Sequence, residues 1–177
     1  MMRMILKAIP LSAFIFCMGI AINAQSGSPP VAQNKCEKLK MTVGDDDADM
    51  GGKRYQKFVF TNVSDKPCTL RGYPTFIVLN KAGKPLSGAK AKYSNDYPNG
   101  PTEENRKPVA VSLEPGKTAW FEIYYNDGMA LDHKGEYPKA YKFLITAPRG
   151  DKAFVTKTDI QPCCGVIVSS IRESEPQ

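Results

Sequence analysis

Residues 118–127 read TAWFEIYYND, and the alternation of side chains in this stretch decides the fold class. In a β-strand successive side chains point to opposite faces of the sheet. One face of this stretch carries the apolar set Phe121, Ile123 and Tyr125. The other face carries Trp120, Glu122 and Tyr124. The stretch therefore predicts a strand whose first set faces a core, and a lone tryptophan such as Trp120 is most often part of a core or its rim.

Short runs of β-branched and aromatic residues recur along the chain between turn signals. The turn EPGK, with its Pro115-Gly116 pair, joins this strand to the run before it. The predicted strands are 37–43, 54–62, 75–80, 107–113, 118–127, 140–150, 153–157 and 165–171. Because no segment has helical periodicity of useful length, the sequence predicts an all-β fold, an antiparallel β-sandwich of about seven or eight strands.

The first 24 residues have the composition of a secretory signal peptide. Arg3 and Lys7 precede an apolar run, and Ile22-Asn23-Ala24 supplies a small-residue cleavage site. The apolar run of about 15 residues is shorter than the roughly 20 that a spanning helix needs, and no later segment could span a bilayer. We expect a signal peptide at 1–24, a disordered linker at 25–35, the β-sandwich domain at 36–173 and a tail at 174–177. The protein is then secreted or periplasmic.

The charge of the chain is mild and evenly spread. The full chain has a formal net charge of +6, which falls to +4 once Arg3 and Lys7 leave with the signal. Nucleic-acid binding needs clustered cations or cations interleaved with aromatic residues, and no segment has either. We therefore expect no nucleic-acid partner.

Four cysteines remain after the signal: Cys36, Cys68, Cys163 and Cys164. In an exported protein an even number of cysteines indicates disulfides. A strand running up from residue 37 and a strand returning at 54–62 would bring Cys36 and Cys68 to the same end, so this pair is the first choice. Cys163 and Cys164 then bond to each other in an eight-membered ring, or one of them takes Cys36 or Cys68 instead. A vicinal pair would also permit a redox function.

Metal ligands and catalytic groups are scarce in the sequence. The cysteines lack the spacing of a zinc site, and His133 is the chain's only histidine. Asp45, Asp47 and Asp49 alternate as in a calcium loop, but the glycine and glutamate that such a loop needs are replaced by Met50 and Gln56. These aspartates are the candidate calcium ligands. No nucleophile elbow, phosphate loop or zinc-protease motif is present, so we expect no enzyme and no cofactor.

Residues 81–107 form a long polar stretch, with one weak strand expected near 86–91. Loops of this length are either functional or mobile. Tyr93, Asn95 and Tyr97 are the candidate ligand contacts, because this mixture of rings and amide could stack on a sugar or a peptide. A second feature is Asn62-Val63-Ser64, which has the form of a glycosylation sequon.

Several of these segments together resemble one family of secreted bacterial domains, the domain of unknown function 4232. The resemblance rests on CEKL at 36–39, FTNVSDKPCTLRGYP at 60–74, VSLEPGKTAWFEI at 111–123, ITAP at 145–148 and the late cysteine. It implies an immunoglobulin-like sandwich at the cell surface or secreted, and it implies no activity. Family members commonly carry a cysteine after the Pro-Gly hairpin, whereas residues 127–140 have none and the last cysteine is doubled.

The sequence thus favours an exported, non-enzymatic module with a binding or structural role in the envelope. Its expected partner is a glycan or a protein, and the 81–107 stretch is the expected contact surface. The alternative is a thiol-disulfide or metal-handling protein that uses Cys163, Cys164 and His133.

Overall fold

The stretch TAWFEIYYND forms a central strand of the largest sheet, as its alternation predicts. The computed structural model describes residues 34–48, 51–98, 107–128 and 137–174, and within these ranges the protein is all-β. The strands are β1 (Leu39–Ala48), β2 (Lys53–Asn62), β3 (Cys68–Arg71), β4 (Thr75–Leu79), β5 (Ala91–Tyr93), β6 (Ala110–Leu113), β7 (Thr118–Asp127), β8 (Lys142–Thr146), β9 (Ala153–Lys157), β10 (Pro162–Val168) and β11 (Arg172–Glu173). No helix in these ranges is long and apolar enough to cross a lipid bilayer.

The strands form three sheets. The large sheet has the order β1-β2-β7-β10-β5, and β11 also pairs with β7. A two-stranded sheet joins β3 to β6, and a three-stranded sheet has the order β4-β8-β9. Every strand pair is antiparallel except β5 with β10, which is parallel. A parallel pair needs a long crossover, and the chain between β5 and β10 supplies it.

An aromatic core lies between the large sheet and the three-stranded sheet. The rings of Phe58 and Phe121, from β2 and β7, stack with centroids 5.1 Å apart. Phe58 also meets Phe76 and Phe143 of the three-stranded sheet edge-on, at 6.0 and 5.9 Å. Both arrangements are the favourable ones for aromatic pairs. All four side chains are at most 3% exposed, so the two sheets bury one sandwich-like core.

The structure departs from the predicted strands most in the following places. Strand β1 extends through Asp45 and Asp47 to Ala48, beyond the predicted end of the first strand at residue 43. The reason is that β1 pairs only with β2 among the described strands and lies at the edge of its sheet, where carboxylates remain in water. The weak strand expected near 86–91 is instead β5, three residues long. Finally, β3 and β11 were missed because strands of four and two residues are too short to show a periodicity.

The predicted Cys36–Cys68 disulfide is present. It joins residues 32 positions apart, with Cα atoms 5.0 Å from each other, and links the chain before β1 to the first residue of β3. Both cysteines belong to the buried core cluster, with exposures of 8% and 4%. Closing a loop of this length contributes about 3 to 4 kcal/mol in the chain-entropy model. The bond therefore ties the large sheet to the two-stranded sheet.

Candidate functional site

The face of the large sheet that points away from the core carries aromatic and charged side chains together. We call it the outer face and define it by Tyr55, Lys57, Tyr97, Trp120, Glu122, Tyr124 and Arg172. The β2–β7 register places Lys57 opposite Glu122 and Tyr55 opposite Tyr124. Arg172 of β11 lies opposite Trp120. Because side chains alternate along a strand, β2 and β7 supply both faces, and their residues Phe58, Phe121 and Ile123 point into the core.

Trp120 lies at one end of the outer face between two cations. The Lys57 ammonium is 4.6 Å from the centroid of the indole ring, and the Arg172 guanidinium is 5.0 Å from it. The indole N–H donates a hydrogen bond of 3.0 Å to the carbonyl of Glu173. Each cation-π contact at a partly exposed site contributes about 0.5 to 1 kcal/mol. Trp120 is thus half-buried on the outer face, outside the core.

Tyr97 fixes a second point on this face. Its phenol donates to the Glu122 carboxylate and accepts a hydrogen bond of 2.7 Å from Arg172, which also lies 3.7 Å from the same Glu122 oxygen. Burial, and then the hydrogen bond to Glu122, raises the pKa of the Tyr97 phenol above its ordinary value of 10.0. The three groups form one charge-assisted network on the sheet surface.

Three tyrosine rings, beginning with Tyr97, form a row on the outer face. Tyr97 stacks on Tyr124 with centroids 6.1 Å apart, and Tyr124 meets Tyr55 at 5.2 Å. The Tyr55 hydroxyl donates a hydrogen bond of 2.8 Å to the carbonyl of Pro98. These rings hold the segment Ser94–Pro98 against the sheet.

The candidate ligand contacts of the sequence analysis lie in and before this segment, and the structure gives them different surroundings. Asn95 is 3% exposed. Its amide N–H donates a hydrogen bond of 2.9 Å to the Ser170 hydroxyl, and its amide oxygen accepts one of 2.8 Å from the Ser170 N–H. Tyr97 is 8% exposed and belongs to the network above. Tyr93 keeps 44% exposure, while its hydroxyl accepts a hydrogen bond of 3.2 Å from the Phe76 N–H. Of the three, Tyr93 alone presents a large open surface, and ligand contact by these residues stays a prediction.

The aspartates lie beside the outer face. A depression of about 270 Å³ is lined by Asp45, Asp46, Asp47, Tyr55, Lys57 and Glu122. Asp49 and His133 lie outside the described residues. Within the described part of the chain, no three His, Cys, Asp or Glu side chains are grouped as metal ligands would be. Calcium binding that includes Asp49 stays a prediction.

The comparison with protein families concerns the same part of the chain. The family model described as Domain of unknown function (DUF4232) matches residues 35–172, more than three quarters of the 177 residues. The chain belongs to this family. The predicted resemblance is therefore confirmed, and the family description names no activity. Comparisons with curated proteins and with solved structures gave no match.

The remaining cysteines of this DUF4232 chain bond to each other. Cys163 and Cys164 form a vicinal disulfide at the start of β10, which is one of the pairings that the sequence left open. Cys163 is 6% exposed and Cys164 is exposed. The thiol-disulfide or metal-handling function stays a prediction.

The asparagine of the glycosylation sequon is buried in this DUF4232 chain and makes hydrogen bonds within the fold. Asn62 is 0% exposed, and its amide nitrogen donates to the carbonyls of Lys66 and Leu113 at 2.8 and 2.9 Å. Its amide oxygen accepts from the Ser64 hydroxyl at 2.7 Å. A glycan on this nitrogen would replace one of the two N–H donors of a fully buried side chain, so Asn62 serves to organise the turn after β2.

Sequence reasoning missed part of the outer face. The alternation in 118–127 grouped Trp120 with Glu122 and Tyr124, and the same rule applied to 54–62 would have added Tyr55 and Lys57. Arg172 gave no signal because its strand has only two residues.

Proposed function

We propose that this DUF4232 chain is an exported, non-enzymatic binding module whose contact surface is the outer face of the large sheet. One observation carries the proposal: aromatic rings and charged groups alternate along a sheet face that the core does not need. Tyr55, Tyr97 and Tyr124 form a row, and Trp120 stands beside it between Lys57 and Arg172.

This combination suits a ligand that is both polar and flat-sided. Aromatic side chains offer apolar area with little loss of rotamer freedom, and they are enriched in contact surfaces. Lys57, Glu122 and Arg172 supply donors and an acceptor that orient a bound molecule. The depression of about 270 Å³ beside Tyr55 gives the face a concave part. A glycan or a protein of the cell envelope is the class of partner that such a surface fits.

The proposal changes the role of the 81–107 stretch. Part of that stretch, Ser94–Pro98, is bound to the sheet by Tyr97 and Tyr55 and so belongs to the outer face. We expect it to shape the surface, with Tyr93 at its accessible border. Export is supported by the signal-peptide pattern of the first 24 residues and by the disulfides, which are typical of oxidising compartments.

Glycan and peptide arrays probed with the exported protein test the proposal. Trp120→Ala removes the ring between the two cations, and we expect it to weaken binding of an array ligand at least about tenfold, as loss of an aromatic anchor does. The matched control is Val155→Ala, which changes an exposed side chain on β9 of the three-stranded sheet. Failure of the wild-type protein to bind any ligand, or equal binding by wild type and Trp120→Ala, would reject the proposal.

A further inference from the structure

The Cys163–Cys164 disulfide lies in a break of the pairing between β10 and β7. Cys163 is opposite Asn126 and Ile167 is opposite Tyr124, so three residues of β10 face one residue of β7. Cys164 has a φ of 67°, in the left-handed region that non-glycine residues rarely adopt. An insertion of this kind is a β-bulge, and bulges redirect side chains next to functional sites.

The two cysteines of this pair differ in exposure. Cys163 is 6% exposed, whereas the bulge turns Cys164 toward solvent. Thiol-disulfide exchange begins when a thiolate reaches a disulfide sulfur, so access selects the sulfur that reacts. Cys36 and Cys68 are both buried, at 8% and 4% exposure, and offer no comparable entry.

The bulge is also in direct contact with the start of β5. Gly165 has a φ of 103° and lies close to Lys90, the residue just before β5. A Cβ added to Gly165 would be 2.9 Å from the Lys90 carbonyl oxygen. The next residue, Val166, donates its N–H to that same oxygen at 3.1 Å. Val166 is also the first β10 residue in register with β5, opposite Ala91. The shape of the bulge therefore sets where β5 begins to pair.

We propose that Cys163–Cys164 is an exchange site for an external dithiol, that Cys164 is the sulfur attacked, and that opening the ring loosens the pairing of β5 with β10. The reagent class is a small-molecule or protein dithiol. This inference stands on the bulge and its contacts, and it is independent of whether the outer face binds a ligand.

The exchange is a two-electron transfer. A thiolate of the dithiol bonds to the Cys164 sulfur, the bond between Cys163 and Cys164 breaks, and Cys163 leaves as a thiolate that takes a proton. The second thiolate of the reagent then attacks the reagent sulfur of the mixed disulfide, and Cys164 leaves as a thiolate and is protonated. The protein pair gains two electrons and two protons, and the dithiol loses the same number as it becomes a disulfide.

Opening the ring acts on β5 through the backbone. Once the ring is open, Cys164 no longer has to stay at positive φ and relaxes to ordinary extended geometry. That rotation moves Val166 relative to the Lys90 carbonyl and weakens the first hydrogen bond of the parallel pair. β5 is followed directly by Ser94, whose N–H donates a hydrogen bond of 3.1 Å to the Val168 carbonyl. When β5 loosens, the residues that follow Ser94 therefore loosen as well.

Reduction of the native, oxidised protein tests the proposal. With glutathione as a monothiol probe, peptide mapping should place the trapped mixed disulfide on Cys164. With dithiothreitol, the Cys163–Cys164 pair should open at a concentration at least about tenfold below that which opens Cys36–Cys68, since exposed disulfides reduce more readily. In the protein whose Cys163–Cys164 pair is reduced, backbone hydrogen exchange should be faster at residues 90–94 and unchanged in β2.

Three results would overturn it: an adduct on Cys163, simultaneous opening of both disulfides, or unchanged exchange at residues 90–94 after reduction. The double substitution Cys163→Ser with Cys164→Ser is the control, and it should form no adduct and show the fast exchange without reductant. Slow exchange in this variant would also count against the coupling. The wild-type measurements need no substitution, so they decide the matter even where the variant does not fold.

Discussion

Trp120 and Phe121 are neighbours in one strand and belong to opposite faces of the large sheet. Phe121 is 0% exposed and packs against Phe58, Phe60 and Phe76. Trp120 is half-buried and is held by two cations and a carbonyl. Both faces are rich in aromatic rings, but only the inner rings are enclosed by a second sheet. The inner face therefore stabilises the fold, whereas the outer face leaves Tyr55 and Trp120 half-buried and Lys57 exposed, where a partner can reach them.

The largest expected effect comes from the inner face. Phe121→Ala removes a ring from the centre of the core, and a substitution of this kind costs about 3 to 5 kcal/mol in the free energy of unfolding. Trp120→Ala, one position away, should cost less, about 1 to 2 kcal/mol, because it removes two cation-π contacts of about 0.5 to 1 kcal/mol each. Urea unfolding followed by circular dichroism measures both. Equal losses would contradict the assignment of the two faces.

A second prediction concerns the Cys36–Cys68 disulfide in the core. Replacing Cys36 and Cys68 together by serine should lower the free energy of unfolding by about 3 to 4 kcal/mol, since the unfolded chain regains the entropy of a 32-residue loop. Replacing Cys163 and Cys164 together should cost much less, because adjacent residues enclose almost no chain. Denaturant midpoints of the two double variants give the difference. A larger loss from the vicinal pair would show that its ring stabilises more than a local bulge.

These contrasts also show how far the sequence could be interpreted. Alternation in 118–127 predicted which side chains enter the core, because a buried face leaves a period of two in the sequence. Cysteine positions and strand order together predicted Cys36–Cys68. The extension of β1 through Asp45 and Asp47 was missed, because an exposed edge strand accepts acidic residues and so leaves no apolar alternation in the sequence.

The candidate site was harder to predict, for a physical reason. It is assembled from β2, β7, β11 and the segment Ser94–Pro98, which are brought together by pairing over long sequence distances. Local patterns carry no information about such pairing. The sequence therefore predicted Asn95 and Tyr97 to be accessible loop residues, although in the fold they are in contact with Ser170, Glu122 and Arg172.

A smaller effect is expected where the outer face holds Ser94–Pro98. Tyr97→Phe removes the phenol between Glu122 and Arg172 but keeps the ring that stacks on Tyr124. The loss should be about 0.5 to 1.5 kcal/mol, the net value of a hydrogen bond in a folded protein. Hydrogen exchange should be faster at residues 94–98 and unchanged in the core strands β2 and β8. Unchanged exchange at 94–98 would mean that other contacts hold the segment.

The smallest effect is a pH dependence at the alkaline end. Burial and Glu122 raise the pKa of Tyr97, and burial and then Asp127 raise the pKa of Tyr125 to about 12. Above pH 10.0 the unfolded chain loses phenolic protons that the folded state retains, so this contribution to stability is complete below pH 10.0 and falls as the pH rises further. Tyr97→Phe should make the fall shallower in urea unfolding between about pH 9 and 11. An unaltered slope would exclude Tyr97 as its source.

The outer face carries the chain's single tryptophan, so tryptophan fluorescence reports on that face alone. The most direct measurement is the quenching of Trp120 emission by acrylamide, with and without a ligand that the arrays identify. If the outer face is the contact surface, the bound ligand will shift the emission and reduce quenching at the concentration where binding saturates. Saturated binding that leaves both the emission and the quenching of Trp120 unchanged would contradict the account and place the contact surface elsewhere.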